Sequence, residues 1–199
     1  GGDGDGFAIG MGHYMHALRR NVDITYIVMD NMIYGLTKGQ TSPTSEPGFK
    51  TKSTPAGNVE KAVNQLQLAI ASGCGFVAAG FSANQKQLVE IIKRAILHPG
   101  FALVSTYSPC VTFNRVNTFD FFKQNLVNLD EDPTYDRHDR FAAMKKLMET
   151  EELVTGIIYE DPASVPYEDR VAGYRKEGIV NQDWTMDPAV WEQLVSQYR

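Results

Sequence analysis

Apolar positions along the chain switch between a period near two and a period near 3.6, and the switching predicts strands alternating with helices. Residues 24–29, ITYIVM, form a short β-rich apolar run that stops at the polar pair Asp30-Asn31, as a buried parallel strand does on entering a loop. The loop is long. From Asn31 to Gly57 the sequence is rich in Gly, Thr, Ser and Pro, and connections of that length inside a compact domain are functional or disordered. Asn58 then offers a cap for a helix in which Val59, Val63, Leu66 and Ile70 recur at helical spacing until Gly73. Residues 76–79 read as a second strand. Ser82 and Gln85 stand at capping-box spacing ahead of a stripe of Leu88, Ile91, Ile92, Ala95 and Ile96, which stops at His98-Pro99-Gly100. A third strand, 101–106, follows directly.

Strands alternating with amphipathic helices predict right-handed β-α-β units, hence an α/β fold with a parallel sheet flanked by helices. Residues 1–112 read as that domain, and 113–199 as an irregular C-terminal extension packing on it and on a partner. Within the extension the pattern predicts a helix near 136–150, a strand near 153–159 and a final helix from 188.

Composition narrows the class. The 199 residues, 43% hydrophobic and 22% charged, suit one globular domain, and no stretch approaches the roughly eighteen consecutive apolar residues of a membrane span. Nineteen basic against twenty-four acidic residues give a net charge of -5, which leaves little for counterion release on nucleic acid. Two cysteines, Cys74 and Cys110, are too few for a disulfide-stapled secreted domain and point to the cytoplasm. The opening Gly1-Gly2-Asp3 carries no leader pattern and reads as a start from which an upstream segment has been removed.

The candidate chemistry begins in the first six residues, GGDGDG, ahead of a helical pattern of Ile9, Met15 and Leu18. At a strand's carboxyl end, glycines let backbone N–H groups approach phosphate, and the helix N-terminus adds partial positive charge. Asp3 and Asp5 would repel a bare diphosphate, so a divalent cation between carboxylate and phosphate is expected, with magnesium the natural choice for oxygen ligands. Asn31 follows Asp3 after 27 intervening residues, enough for one helix and one strand, and with the Ile33 carbonyl it could complete the coordination. Alone, GDGDG also fits a tight turn with solvated aspartates.

The combination GDGD, then DNMIYGLTKGQTSPTS at 30–45, then SPCVTFNR at 108–115, resembles the beta subunits of the 2-oxoacid:ferredoxin oxidoreductases, in this order and across the whole chain. The resemblance implies a thiamine diphosphate-binding fold. Asp3, the Asn31 side chain and the Ile33 carbonyl would hold Mg2+, and Gly4, Asp5, Gly35 and Leu36 would line thiamine diphosphate. It further implies oxidative decarboxylation of a 2-oxoacid with coenzyme A to acyl-CoA, CO2 and reduced ferredoxin. Cys110, by its sequence alone a small buried apolar residue, would be one ligand of a 4Fe-4S cluster whose other cysteines lie outside this segment. The activating glutamate would sit on an alpha subunit, an obligate partner. The strand expected ahead of GDGDG would leave a slot between sheet neighbours. The Leu36-Thr37-Lys38 wording leans to the 2-oxoglutarate or broad-specificity branch, and Lys38 could meet the acidic substrate.

Other groups read as structural. His13 and His16 stand three apart on a helix, yet without a third ligand in reach they fit a helix surface better than a metal site. Cys74 reads as core, and the acidic stretch 130–139 as a solvated loop. Two other functions use the same residues: a non-redox thiamine-dependent decarboxylase or synthase, which needs no cluster ligand, and a non-catalytic protein binding a nucleotide with magnesium.

Overall fold

The computed structural model describes residues 1–173, 177–183 and 185–198. After Gly2 the chain turns into a short π-helical segment, Asp5–Ile9, and then α1, Met11–Arg20. Strand β1, Thr25–Asp30, enters the long loop, and α2 spans Gln65–Ala71. Then come β2 (Phe76–Phe81), α3 (Gln85–Leu97) and β3 (Ala102–Tyr107). The remainder forms α4 (Phe119–Asn125), β4 (Val127–Asn128), α5 (Arg140–Glu149), β5 (Val154–Glu160), α6 (Tyr167–Arg170) and α7 (Pro188–Ser196).

The sheet has the order β1-β3-β2-β5-β4. β3 pairs in parallel with β1 and with β2, whereas β5 runs antiparallel to β2, so the sheet is mostly but not wholly parallel. Every residue of β2 and β3 is buried, because helices cover both faces. Val77, Ala79 and Phe81 point into a large core shared with Leu18 of α1, Leu66 of α2, Phe122 of α4 and Leu147 of α5. Phe76 and Ala78, one residue out of phase, face Ile91 and Ala95 of α3 on the other side. The C-terminal part thus supplies two strands, β5 and the short β4, and two core helices to the same fold.

Several local expectations are corrected. The helix expected from Asn58 begins only at Gln65, because the Asn58 amide is spent on the Ser45 and Glu60 carbonyls of the loop, and Val59 is exposed. Asn84, not Ser82, caps α3 through the Gln87 N–H, and Ile96 leaves the apolar stripe for solvent. The helix expected from 136 starts at Arg140, with the Asp139 carboxylate accepting from the N–H groups of Phe141 and Ala142. Ile9, read as part of the first helical pattern with Met15 and Leu18, ends the π-turn and is exposed.

The slot expected between sheet neighbours is also absent: β3 bonds continuously to both β1 and β2. The unpaired row lies instead along the outer edge of β1, where Gly2 bridges Met29 in parallel and the Met29 N–H donates to the Gly1 carbonyl at 2.9 Å. That bridge sets Asp3 down beside the carboxyl end of β1.

Candidate functional site

Asp3 starts the first helical turn and Asp30 ends β1, and both carboxyl groups are buried, at 2% and 1% exposure. The Thr44 hydroxyl stands between them, 2.9 Å from Asp3 Oδ2 and 2.9 Å from Asp30 Oδ1. Thr44 arrives there because loop 42–45 is closed on itself: Ser42 N–H donates to Ser45 Oγ at 2.8 Å and Ser45 N–H to the Ser42 carbonyl at 3.0 Å. The Asn31 N–H reaches Asp3 Oδ1 at 3.4 Å, so the two residues singled out for metal meet at the carboxyl edge of the parallel strands. Asn31 Oδ1 accepts from the Ile33 N–H at 3.1 Å, a local turn that fixes the amide and leaves one lone pair on its oxygen. Between them Met32 sits in the left-handed region at φ 57°, which brings Asn31 and Ile33 round to the same corner.

Neither Asp3 nor Asp30 has an ion-pair partner among the described residues. Burial and the neighbouring Asp3 push the Asp30 carboxyl up to about 7, against hydrogen bonds from Thr44, the Met32 N–H and Gln65. Two buried carboxyl groups sharing one hydroxyl, with hard amide and carbonyl oxygens alongside, form a donor set suited to a small oxygen-seeking cation. Among the described residues no three His, Cys, Asp or Glu side chains cluster as a metal site, so a cation here would need amide, carbonyl and solvent or phosphate oxygens beside a carboxylate.

Gly4 is buried directly beneath the Tyr34 ring, and a Cβ there would stand 2.2 Å from a ring carbon. The Tyr34 hydroxyl donates to the Gly4 carbonyl at 3.2 Å, pinning the loop after β1 onto the first turn. Glycine at position 4 is therefore required by that ring. Asp5 is exposed at the start of the π-turn, which the Gly10 N–H closes on the Asp5 carbonyl at 2.8 Å. In the long loop, Gly35 lies beside Cys110, whose Sγ would be 4.0 Å from a Cβ at that glycine. Leu36 is 99% exposed, and the exposed Lys38 takes a left-handed backbone at φ 75°. Cys110 is half-buried and free, whereas Cys74 is a core residue whose thiol burial pushes up to about 12. His13 and His16 are both exposed on α1.

The structure adds groups that sequence reasoning missed. Asp30 and Thr44 lay inside the DNMIYGLTKGQTSPTS motif but drew no assignment. Gln65 Nε2 donates to Asp30 Oδ2 at 2.9 Å, and the Gln65 carbonyl accepts from the Tyr14 hydroxyl at 2.8 Å. Asn114 Nδ2 donates to the Asn31 carbonyl at 3.2 Å, which ties the SPCVTFNR segment to the corner formed by Asp3 and Asn31. Glu152 closes a cavity of about 220 Å³ behind Asp30, lined also by Asn64, Tyr107 and Asn117. Burial raises its carboxyl to about 7, against the N–H groups of Gln67 and Leu66. No local signal marks Glu152, because its role arises from a contact 85 residues away.

The sequence and the fold resemble those of known proteins. Residues 1–106 match the family described as thiamine pyrophosphate enzyme, C-terminal TPP binding domain, and residues 110–176 match the C-terminal family of the pyruvate ferredoxin oxidoreductase beta subunit. The 2-oxoacid:ferredoxin oxidoreductase subunit beta of Saccharolobus solfataricus is 43% identical over 182 residues, 86% of this chain and 60% of that protein. The chain belongs to the 2-oxoacid:ferredoxin oxidoreductase beta subunits. Within this family, the 2-oxoglutarate synthase subunit KorB of Archaeoglobus fulgidus is 45% identical over 139 residues, 65% of this chain and 52% of that protein. A solved 2-oxoglutarate:ferredoxin oxidoreductase from Magnetococcus marinus, with 2-oxoglutarate, coenzyme A and succinyl-CoA bound, matches with a TM-score of 0.80 and 42% identity, covering 85% of this chain and 58% of that one. The chain thus spans less than two thirds of the length of each of these oxidoreductase relatives. No helix among the described residues is long and apolar enough to cross a membrane.

Proposed function

We propose that this chain binds thiamine diphosphate and Mg2+ as the beta subunit of a cytoplasmic enzyme that oxidatively decarboxylates a 2-oxoacid, with 2-oxoglutarate favoured over pyruvate. Coenzyme A takes the acyl group and ferredoxin the electrons. The convergence of Asp3 and Asn31 at the carboxyl end of β1 carries the reading. Asp3, the Asn31 side chain and the Ile33 carbonyl hold the cation, and the backbone of Gly4 and Asp5 with Gly35 and Leu36 lines the diphosphate and thiazole. Thiamine diphosphate, when bound, supplies the carbon nucleophile and electron sink for decarboxylation. The chain's own work is to hold, orient and dry that group.

The choice of 2-oxoglutarate rests on the substrate for which the KorB relatives and the solved Magnetococcus enzyme are named. Lys38, exposed in the loop that carries Gly35 and Leu36 and without an ion pair among the described residues, would meet a second carboxylate on the substrate. The activating glutamate belongs to an alpha subunit. Burial beneath such a partner accounts for the apolar side chains exposed around the site, Leu36, Val111 and Val116. Cys110 cannot build a four-iron site alone, since the only other cysteine, Cys74, is buried in the core. Its proposed part is one thiolate, the rest coming from outside residues 1–199.

The test is turnover by the assembled, anaerobically purified complex with coenzyme A and ferredoxin. Thiamine diphosphate-dependent reduction of ferredoxin is expected, with a higher kcat/KM for 2-oxoglutarate than for pyruvate. Cys110→Ser should lose the iron–sulfur electron paramagnetic resonance signal and ferredoxin reduction while retaining bound thiamine diphosphate. Turnover independent of the cofactor would refute the reading, undiminished ferredoxin reduction by Cys110→Ser would remove Cys110 from the cluster, and decarboxylation without any ferredoxin reduction by the wild-type complex would turn the reading into a non-redox decarboxylase.

A further inference from the structure

Asp3 is poorly held by its own surroundings. Its Oδ1 receives a single long contact, 3.4 Å from the Asn31 N–H, and its Oδ2 receives the Thr44 hydroxyl at 2.9 Å. Without the second bond a carboxylate at the start of a helical turn is free to rotate, and a metal ligand that rotates pays its ordering entropy on binding. The Thr44 hydroxyl, in contrast, is among the most firmly placed groups in the molecule. Thr44 is 2% exposed, its hydroxyl lies 3.2 Å from Ser42 Oγ, and the Ser45 hydroxyl anchors the same loop by donating to the Met32 carbonyl at 2.7 Å.

Thr44 is also braced from behind. Asp30 Oδ1 lies 2.9 Å from its hydroxyl and accepts from the Met32 N–H at 3.1 Å, while Asp30 Oδ2 is gripped by Gln65 Nε2 at 2.9 Å. Gln65 in turn leads to α1 through the Tyr14 hydroxyl and to β3 through Ser105 Oγ, at 3.4 Å. A continuous path therefore runs from the rigid sheet and two helices, through Gln65, Asp30 and Thr44, to one oxygen of Asp3. The other oxygen, Oδ1, is left facing Asn31.

We propose that Thr44 is the positioning residue for the metal carboxylate: its hydroxyl, braced by Asp30 and Gln65, fixes Asp3 so that Oδ1 points to the cation. This rests on the reading of Asp3 as a ligand of the cation that grips the diphosphate. Thr44 itself touches neither. A group acting through a first ligand in this way is worth about 10- to 100-fold in metal affinity. Loss of the hydroxyl should weaken metal binding by such a factor, whereas the fold without cofactor should lose only the stability that one hydrogen-bond donor to buried carboxyl oxygens contributes.

The measurement is Mn2+ affinity of the assembled complex in the presence of thiamine diphosphate, read from the free-ion electron paramagnetic resonance signal, for wild type, Thr44→Val, Thr44→Ala and Thr44→Ser. Thr44→Val is expected to bind Mn2+ about 10- to 100-fold more weakly while remaining folded without cofactor at a modestly lowered unfolding midpoint, and Thr44→Ser, which keeps the hydroxyl, to recover most of the loss in affinity. If valine beside two carboxyl groups prevents folding, Thr44→Ala gives the same comparison with a smaller side chain. Equal Mn2+ affinity in the folded hydroxyl-free variant and wild type overturns the proposal alone. A wild-type complex that takes up no Mn2+ with thiamine diphosphate overturns the functional reading and this proposal with it.

Discussion

At the residue scale the site is a cluster of carboxyl groups held out of water, and their protonation governs how stability follows pH. Glu152 is the clearest case. It accepts from the Gln67 N–H at 3.1 Å, and its carbonyl accepts from the Tyr107 hydroxyl, which together hold Glu151 and Glu152 in the left-handed region at φ 51° and 64°. Burial raises its carboxyl from 4.5 to about 7 in the fold. A raised carboxyl pKa means the folded state keeps its proton longer than the unfolded chain, so this contribution is complete below about 4.5 and is lost as pH rises through about 7. The full shift corresponds to roughly 3 kcal/mol. Glu152→Gln keeps an acceptor for Gln67 without titrating, and urea unfolding between about pH 5 and 8 should show the variant gaining on wild type by up to that amount as pH rises. A constant difference across the range would contradict the assignment.

At the scale of elements, caps explain where helices start better than apolar spacing does. Asp139 satisfies two N–H groups at the start of α5, at 2.8 and 3.0 Å, and so stops the helix from running back into the turn 136–138. α5 carries Ala143 and Leu147 into the main core, so its start matters to the packing of β5 beneath it. Asp139→Ala should cost about 1 kcal/mol in chemical denaturation, the usual worth of a side-chain cap, with no change in cofactor affinity. A loss several times larger would mean that the whole helix depends on the cap. Thr118 and Asn84 do the same work for α4 and α3.

For the whole molecule, the decisive feature is that parallel β1, β2 and β3 end together. Their carboxyl ends present Asp30, Phe81 and Tyr107 in one row, and the Gly1-Gly2 pairing adds Asp3 to it. A ligand gripping both the first turn and the loop after β1 binds only the folded arrangement, so it stabilises by mass action: about 2.7 kcal/mol at a hundredfold excess over Kd. Thiamine diphosphate with Mg2+ should therefore raise the unfolding midpoint of the assembled complex. EDTA should abolish most of that rise, and Asp3→Ala should show none of it by differential scanning calorimetry. An equal rise in EDTA would mean that the diphosphate is held without a cation.

The sequence by itself determined the alternation of strands and helices, the pairing of Asp3 with Asn31, and the core position of Cys74, because each follows from local periodicity, loop chemistry or a recognisable motif. Strand limits fell within about two residues, since buried parallel strands read as uninterrupted apolar runs. Only the tertiary structure decided that β5 joins the sheet antiparallel, that the open edge is β1, and that the helix after the long loop waits until Gln65. It also decided that Thr44, Asp30, Gln65 and Glu152 stand behind the corner formed by Asp3 and Asn31. Those outcomes depend on hydrogen bonds between residues tens of positions apart, and a side chain such as Asn58 or Thr44 can be spent on any of several partners until the fold brings one within reach.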